Sequence, residues 1–409
     1  MRILYHHRTQ AEDAQGIHIY EMVKAFRKLE HEVEVVALVK LDEANEEKTQ
    51  GRSWNKLTRW IPAWLYEVMS LSYNLYGYLH LRRVIRSKKF DLIYERYSLN
   101  TFCGIWASRH FGIPMVLEVN LPLYYQHRHF GKLTLKRFAR FSERWICSHS
   151  TYTVVVSNAM KELLIEEGVP GEKLIVMHNG VDPQNFNPNI SSKIMRQRYG
   201  LRNKLVIGFV GWFREWHGLE MLLEIMHESR LAEQGVHLLL VGDGPAYPTL
   251  YQYAEKHDLL SSVVFTGPIR RLEIPAHIAA MDIAVLPKTN DYGCPMKLME
   301  YMVMRKCVGA PDQSPIREII ENGVTGLLFK MGNKEDLRST LMKLLRNPLK
   351  RERLGQNAYQ SVFDRGFLWQ ANAEKTLRLA SGESYEYIIS NVDGDGEKTN
   401  TKSVTCNQP

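Results

Sequence analysis

The chain has 409 residues, of which 44% are hydrophobic and 24% charged, a composition typical of a globular protein long enough to form two hydrophobic cores. The formal net charge of +8 and the pI near 9.0 favour anionic partners such as a nucleotide, an anionic membrane face or nucleic acid. Five scattered cysteines with no C-x-x-C pair argue against a disulfide framework or a zinc site and fit a reducing cytosol.

Neither a signal peptide nor a membrane-spanning segment is predicted. The N-terminal residues MRILYHH continue directly into a strand pattern. No uncharged apolar run reaches the roughly 18 residues that a membrane-spanning helix needs. We therefore expect a cytoplasmic protein.

The chain opens with a predicted β-α-β unit, which indicates a parallel sheet. Its parts are a short strand at residues 2–5, a loop at 6–16, an amphipathic helix at 17–29 and a strand at 32–39. Ligands of such sheets bind beyond the carboxyl ends of the strands. Gly16, at the expected helix start, would let a bound group approach the backbone closely. His18 faces either this cleft or the solvent.

Aromatic and basic residues are mixed over residues 52–89. Val68, Leu71 and Leu75 recur at helical spacing among tryptophans, tyrosines, arginines and lysines. Such a helix can lie on an anionic membrane. Alternatively, its aromatic side chains pack against the sheet and its basic side chains are solvated.

Polar residues end the next two predicted strands, at residues 91–94 and 115–119. Arg96 follows the first strand, and Glu118 and Asn120 close the second. Glu118 could orient or deprotonate an acceptor hydroxyl, or it could satisfy loop N–H groups. Residues 124–130 are predicted to form an acceptor loop that contains His127. His127 and His129 are too closely spaced to bind a metal from one helical face.

A second sheet is predicted to begin after a polar linker. Before the linker come a strand at 151–156, a helix capped by Ser157 and a strand at 174–177; after it come strands at 205–210, 237–241 and 263–266. The sequence GDGP at 242–245 lacks the third glycine of a dinucleotide-binding fingerprint. It therefore predicts a tight turn at the cleft rather than an NAD site.

An anion site is predicted after the apolar run at 283–286, where a helix is expected to start near Met296. Pro295 suits the first turn of a helix, and the free N–H groups of a helix start attract phosphate. Lys297 adds a cation there although it opposes the helix dipole. Glu300, three residues later, could accept two hydrogen bonds from a ribose diol. The alternative is a surface Lys–Glu pair one helical turn apart.

Four segments together resemble the family-4 retaining glycosyltransferases of the GT-B fold. The segments are QGIHIYEM, KLIVMHNGVDPQNF, PMKLMEYM and VGAPDQSPIREIIENGVTGLLF. The resemblance implies an α/β fold with two Rossmann-like, doubly wound parallel-sheet domains that face an interdomain cleft. The expected parts are an acceptor-binding domain at 1–185, a linker at 186–203, a nucleotide-sugar domain at 204–360, a helix crossing back at 361–380 and a disordered tail at 381–409.

The resemblance also implies roles for particular residues. Lys297, Arg214 and Glu118 are the expected catalytic residues, and Arg96, Asn120 and His127 are expected at the acceptor. The expected donor contacts are Gly16, His18, Arg214, His217, Gly242, Pro268, Ile269, Met296, Lys297, Leu298 and Glu300. No metal or other cofactor is expected, because cations of the protein would stabilise the leaving diphosphate.

Two departures from the family pattern affect these assignments. The Arg and Lys that usually bind the diphosphate are replaced by Trp212 and His217, with Arg214 nearby. The first glutamate of the family's paired-glutamate motif is replaced by Tyr292, next to Asp291.

The expected activity is transfer of a sugar from a UDP- or GDP-sugar to an acceptor hydroxyl, with retention of anomeric configuration. A sugar or lipid-linked acceptor of surface polysaccharide or glycolipid synthesis fits the basic, aromatic segment, as does peripheral association with the cytoplasmic membrane face. The alternatives are another GT-B enzyme, such as a sugar-nucleotide epimerase or a phosphorylase, and a non-catalytic binding protein. Nucleic acid is not an expected partner because no recognition motif is present.

Overall fold

The computed structural model describes residues 1–9, 13–37, 63–130 and 133–383. Within these ranges the chain forms two six-stranded sheets, one in each half, with helices on their flanks. Every described strand pair is parallel. The predicted pair of doubly wound parallel sheets is therefore confirmed.

The first sheet has the strand order β2-β1-β3-β4-β5-β6. Its strands are β1 (Arg2–His7), β2 (Glu32–Ala37), β3 (Leu92–Arg96), β4 (Met115–Val119), β5 (Tyr152–Val155) and β6 (Leu174–Val176). The order reverses between β1 and β3, which places a ligand crevice beyond their carboxyl ends. Arg96, expected just after a strand, is the last residue of β3.

Among the described residues, six helices accompany the first sheet. They are α1 (Asp13–Lys28), α2 (Ala63–Ser87), α3 (Cys103–Phe111), α4 (Leu123–Phe130), α5 (Lys136–His149) and α6 (Asn158–Glu166). The predicted cap of α6 is confirmed, since the N–H of Met160 donates to Ser157 Oγ at 3.0 Å. Helix α1 begins earlier than predicted, so Gly16 and His18 lie within its first turns rather than at the end of a loop.

The prediction of a loop at residues 124–130 is wrong, because these residues form α4. Glu143 of α5 is buried and accepts the N–H of Tyr124 in the first turn of α4 at 2.9 Å. The hydroxyl of Tyr97 donates to the same Glu143 oxygen at 2.8 Å. A helix start needs acceptors for its free N–H groups, and here the acceptor comes from a distant residue. His127 therefore lies on a helix.

The second sheet has the order β12-β11-β10-β7-β8-β9. Its strands are β7 (Leu205–Val210), β8 (Val236–Val241), β9 (Val263–Phe265), β10 (Ile283–Val285), β11 (Cys307–Pro311) and β12 (Leu327–Phe329). All six residues of β8 and all five of β11 are buried, as expected for parallel strands covered on both faces. The order reverses between β7 and β10, again marking a crevice.

Nine helices belong to the described part of the second half. They are α7 (Lys193–Arg198), α8 (Leu219–Glu228), α9 (Tyr247–Lys256), α10 (Ile274–Ala279), α11 (Met296–Val303), α12 (Ser314–Arg317), α13 (Lys334–Leu345), α14 (Pro348–Asp364) and α15 (Trp369–Ala380). Helix α11 begins at the predicted residue. A disordered tail was predicted at residues 381–409. The structure describes only the first three of these residues, and residues 384–409 lie outside the described ranges.

Helix α15 returns to the first half and packs against α1. Trp369 is 3% exposed, and its ring lies edge-on to the ring of His18, with 4.6 Å between centroids. Asn372 Nδ2 donates to the carbonyl of His178 at 2.8 Å. The end of the chain thus covers the core of the first half. None of the described helices is long and apolar enough to cross a bilayer.

Gly180 sits where the chain before α15 touches the end of the first half. A Cβ atom at this position would overlap the backbone nitrogen of Trp369 and the carbonyl carbon of Leu368. We expect Gly180→Ala to lower the free energy of unfolding by about 1–3 kcal/mol, since backbone cannot move aside as a side chain does. Urea unfolding measures this loss.

Gly309→Ala is the matched control for this change. Gly309 is buried in β11, but a Cβ atom there would make an ordinary contact, 3.7 Å from Val285 Cγ2. Equal loss of stability in the two variants would contradict the role given to Gly180.

Candidate active site between the two halves

The loop before α11 is fastened to the first half of the chain. Ser157 Oγ donates to the carbonyl of Tyr292 at 2.6 Å, and Asn179 Nδ2 donates to the carbonyl of Cys294 at 2.6 Å. Ser157 follows β5 and Asn179 follows β6, so both lie at the carboxyl edge of the first sheet. The start of α11 is therefore held at the boundary between the two halves.

Glu318 makes a second connection between the halves. Its carboxylate accepts the N–H of Asn158 at the start of α6 at 2.9 Å and lies 2.8 Å from His178 Nε2. Burial raises the pKa of Glu318, but these partners outweigh burial and lower it below its ordinary value. A carboxylate at a helix N-terminus is well placed, so this contact fixes how the two halves approach each other.

Lys297 lies in the first turn of α11 without a carboxylate at ion-pair distance among the described residues. Its ammonium is 4.0 Å from the centroid of the Phe209 ring, and a Cβ atom on Gly211 would be only 2.7 Å from it. Burial lowers the pKa of Lys297 to about 7, although Glu300 opposes this effect. An ammonium held at a helix start without a counter-ion attracts anions.

The turns after β7 and β8 are packed backbone to backbone beside Lys297. Gly211 has φ 146° and Gly242 has φ 127°, values that favour glycine. A Cβ atom on Gly242 would overlap the carbonyl oxygen of Gly211. The GDGP segment thus turns at the end of β8 and packs directly against the backbone of residues 211–213.

His217 replaces the usual family lysine with a neutral ring. Burial and, to a smaller extent, the charges of Lys297 and Arg214 lower its pKa to about 2. The N–H of Arg214 points to His217 Nδ1 at 3.4 Å, which leaves the ring proton on Nε2. A neutral donor beside Lys297 avoids repulsion between two buried cations. Arg214 itself is exposed at the rim.

Glu300 is not free in this structure but forms an ion pair with Arg271. The Arg271 Nη2 atom lies 2.7 Å from Glu300 Oε1, and the guanidinium stacks over the ring of Phe186 at 4.7 Å. Glu21 of α1 is 3% exposed; burial raises its pKa, and the charge of Arg271 opposes this. Glu300 therefore faces the first half across the cleft, and a ribose would share it with Arg271.

Arg271 was missed by the sequence analysis. Its only signal is the position of Arg270-Arg271 in the loop after β9, at the carboxyl edge of the second sheet. Pro268 and Ile269 lie in the same loop, which joins the GDGP turn through a bridge between Gly242 and Gly267. The structure thus brings the loop of Pro268 and Ile269 next to the GDGP segment.

Two further predicted donor contacts flank Lys297. The side chain of Met296 packs against the core of the first half. The side chain of Leu298 is fully buried in the second half, and its N–H donates to the carbonyl of Pro295 at 3.0 Å. Leu298 therefore positions the helix start rather than offering a side chain to a ligand.

Glu118 joins residues from three elements of the first half. His18 Nδ1 lies 2.9 Å from Glu118 Oε1, Arg96 Nη1 lies 3.2 Å from the same atom, and the Tyr5 hydroxyl donates to Oε2 at 3.4 Å. Burial raises the pKa of Glu118, but His18, Arg96 and a hydrogen bond from Asn120 lower it to about 2. A carboxylate with so low a pKa is a weak base, so the geometry favours its orienting role.

The remaining predicted residues are placed as follows. Tyr292 is 5% exposed, with its ring edge-on to that of Tyr125 at 6.0 Å, whereas Asp291 is exposed. His127 is exposed on α4; partial desolvation lowers its pKa, and the charge of Glu67 opposes this. No group of three or more potential metal ligands occurs among the described residues.

Family models match both halves of the chain. Residues 15–185 match the model described as Glycosyltransferase Family 4, and residues 191–361 match the one described as Glycosyl transferases group 1. The chain belongs to this glycosyltransferase family. The matched segments contain most of α1, Glu118 with His18 and Arg96, the glycine turns, Arg271 and α11.

Individual relatives are distant from this glycosyltransferase. Alpha-D-kanosaminyltransferase from Streptomyces kanamyceticus is 26% identical over 61% of this chain and 66% of that protein. GDP-mannose-dependent alpha-mannosyltransferase from Mycobacterium tuberculosis is 28% identical over 57% of this chain and 58% of that protein. The structure of Anabaena HepE in complex with UDP aligns with a TM-score of 0.69 at 20% identity, covering 93% of this chain and all of that one. This last likeness shows the GT-B fold.

The buried pairing of Glu118 predicts a pH-dependent contribution to stability. Its pKa of about 2 lies below the ordinary value of 4.5, so the ion pairs stabilise the fold above pH 4.5 and are lost as the pH falls towards 2. We expect Glu118→Gln to cost up to roughly 3 kcal/mol at pH 7 and less at pH 4. Urea unfolding at both pH values checks this, and a cost that grows on acidification would contradict it.

Proposed function

We propose that this glycosyltransferase moves a sugar from a nucleoside-diphosphate sugar to an acceptor hydroxyl with retention of anomeric configuration. The observation that carries the proposal is the ammonium of Lys297, held at the start of α11 without a counter-ion and facing the cleft. A diphosphate supplies the charge that this position lacks. UDP and GDP are the candidate nucleotides, because HepE was solved with UDP and the mycobacterial relative is named as GDP-mannose-dependent.

The donor is proposed to bind along the edge of the second sheet. The diphosphate would lie against Lys297, the Nε2–H of His217 and the guanidinium of Arg214, close to the glycine turn. The ribose hydroxyls would donate hydrogen bonds to Glu300, in competition with Arg271. The base would contact the backbone at Pro268 and Ile269, by resemblance to the family.

The chemical step requires stabilisation of the charge that develops on the leaving diphosphate. As the bond between the anomeric carbon and the diphosphate oxygen breaks, the acceptor oxygen forms a bond to the same face of that carbon, and its proton passes to a phosphate oxygen. Protonated Lys297 stabilises the departing charge. Glu118, with its low pKa, orients Arg96 and His18 rather than taking the proton. Nuclear magnetic resonance of the product determines its anomeric configuration. A product with the inverted configuration would overturn the proposed retention.

We further propose that transfer needs no divalent metal and that the acceptor belongs to surface polysaccharide or glycolipid synthesis. The charge that a metal would supply is available from Lys297 and Arg214. His18, Arg96 and Asn120 surround the Glu118 carboxylate at the carboxyl edge of the first sheet, where a sugar acceptor would find several hydrogen-bond partners.

The first test is a thermal-shift screen with UDP, GDP and ADP in the presence of a chelator. A nucleotide that binds the folded state raises the melting temperature by mass action. We expect one of these nucleotides to do so without metal and Lys297→Ala to abolish the shift. Lys343→Ala, an exposed change on α13 of the same half, is the matched control. The absence of a shift with every nucleotide, or a shift retained by Lys297→Ala, would overturn the donor assignment.

The second test uses the lowered pKa of Lys297. In the free protein the amine is largely neutral above pH 7, and a diphosphate would raise its pKa, so binding at pH 8 should take up a proton. The affinity should fall as the pH rises above 7, by up to about tenfold per pH unit. Calorimetry in buffers of different ionisation enthalpy measures the uptake.

Lys297→Arg is the control for proton uptake. An arginine stays protonated throughout this range, so the variant should bind without taking up a proton at pH 8. Proton uptake that persists in Lys297→Arg would show that another group titrates.

A further inference from the structure

The first half of helix α2 buries polar side chains and exposes apolar ones, whereas its second half buries Leu81 and Ile85 in the core. Glu67, Ser70 and Asn74 are 6%, 7% and 4% exposed, and they face the interior of the first half. Leu75 and Leu79 are 67% and 51% exposed on the opposite face. A surface helix normally buries its apolar stripe and presents its polar face to water.

Contacts of the buried face fix this orientation. Glu67 accepts the N–H groups of Thr134 and Leu135 just before α5, at 2.6 and 2.9 Å. Asn74 Oδ1 accepts the N–H groups of Phe102 and Cys103 at the start of α3, at 2.5 and 3.1 Å. Rotating α2 to bury its leucines would leave two helix starts without acceptors. The polar residues are therefore committed to the interior.

The exposed face carries an apolar stripe, interrupted by Ser72, that ends in positive charge. Its apolar members form two groups, Leu65, Val68 and Met69 before Ser72 and Leu75, Tyr76 and Leu79 after it, each at least 36% exposed. Arg83 and Arg86 continue the same stripe for a further turn and are exposed. The sequence of α2 contains one acidic residue, Glu67, which lies on the buried face.

We propose that the exposed stripe of α2 is a docking surface for an anionic lipid bilayer. A row of large apolar side chains followed by arginines matches the boundary of a bilayer, where acyl chains and anionic headgroups lie side by side. The stripe ends in positive charge, and no acidic residue of α2 lies on the exposed face. An anionic surface is therefore a better partner than a second copy of the same cationic chain.

The docked helix would lie beside the acceptor side of the cleft. Tyr73, on the inner side of α2, accepts or donates a hydrogen bond with His6 Nε2 at 3.1 Å, and Arg8 Nη1 donates to the carbonyl of Ser70 at 3.2 Å. His6 and Arg8 are at the carboxyl end of β1, the edge where ligands of this sheet bind. Docking would therefore bring the cleft close to the lipid surface. The inference does not depend on the proposed transfer reaction.

The experiment measures co-sedimentation of the full chain with vesicles of phosphatidylcholine alone and of phosphatidylcholine mixed with phosphatidylglycerol. We expect binding to the mixed vesicles that weakens with salt, and little binding to phosphatidylcholine alone. The double change Leu75→Gln and Leu79→Gln should reduce partitioning at least about tenfold, because both side chains leave the acyl boundary. The double change Arg83→Gln and Arg86→Gln should remove the preference for anionic lipid.

Ile194→Gln with Leu349→Gln is the matched control, because these side chains are 70% and 77% exposed far along the chain in the second half. It should bind vesicles as the unchanged protein does. All variants should keep their melting temperature, since every altered side chain is exposed. The proposal would be overturned if the α2 variants bound vesicles as the unchanged protein does, or if the unchanged protein did not bind vesicles. It would also be overturned if the protein formed a dimer that dissociated only when Leu75 and Leu79 were changed.

Discussion

The ammonium of Lys297 needs a partner that the described residues do not supply, and much of the structure positions it. Ser157 and Asn179 of the first half hold the loop that precedes α11. Gly211 and the Phe209 ring form the wall against which the side chain lies. Because burial lowers the pKa of the amine to about 7, the loss of a proton can relieve the cost of burying the charge. An arriving anion would restore that proton, so binding and charge are coupled.

The same constraint accounts for the neighbourhood of the site. A second cation at residue 217 would repel Lys297, and the neutral His217 avoids this repulsion. On the other side, Arg271 neutralises Glu300. The two charges of the proposed donor site are thus treated differently: the carboxylate has an ion-pair partner, whereas the ammonium has none at ion-pair distance among the described residues. That asymmetry favours an anionic ligand.

The first half uses buried polar groups to define its own side of the cleft. Glu118 gathers His18 from α1, Arg96 from β3 and Tyr5 from β1, and Glu143 supports the start of α4. In α2 the polar residues serve as acceptors for other helix starts, which turns the leucines outward. Leaving a buried polar group without a hydrogen-bond partner costs more free energy than leaving an apolar side chain exposed. This difference in cost accounts for the unusual surface of α2.

The sequence by itself determined the elements whose signals are local. Continuous apolar runs specified the parallel strands, Ser157 specified the start of α6, and the stretch around Met296 specified the start of α11. The tertiary structure alone decided which charges meet, because the partners of Glu300 and Glu118 come from separate elements. It also decided that residues 124–130 are helical, since the distant Glu143 accepts an N–H group at the start of that helix. It decided which face of α2 is buried as well, since Glu67 and Asn74 accept N–H groups of two other helix starts. Local patterns record burial and capping, but the pairing of buried charges depends on how the chain brings distant segments together.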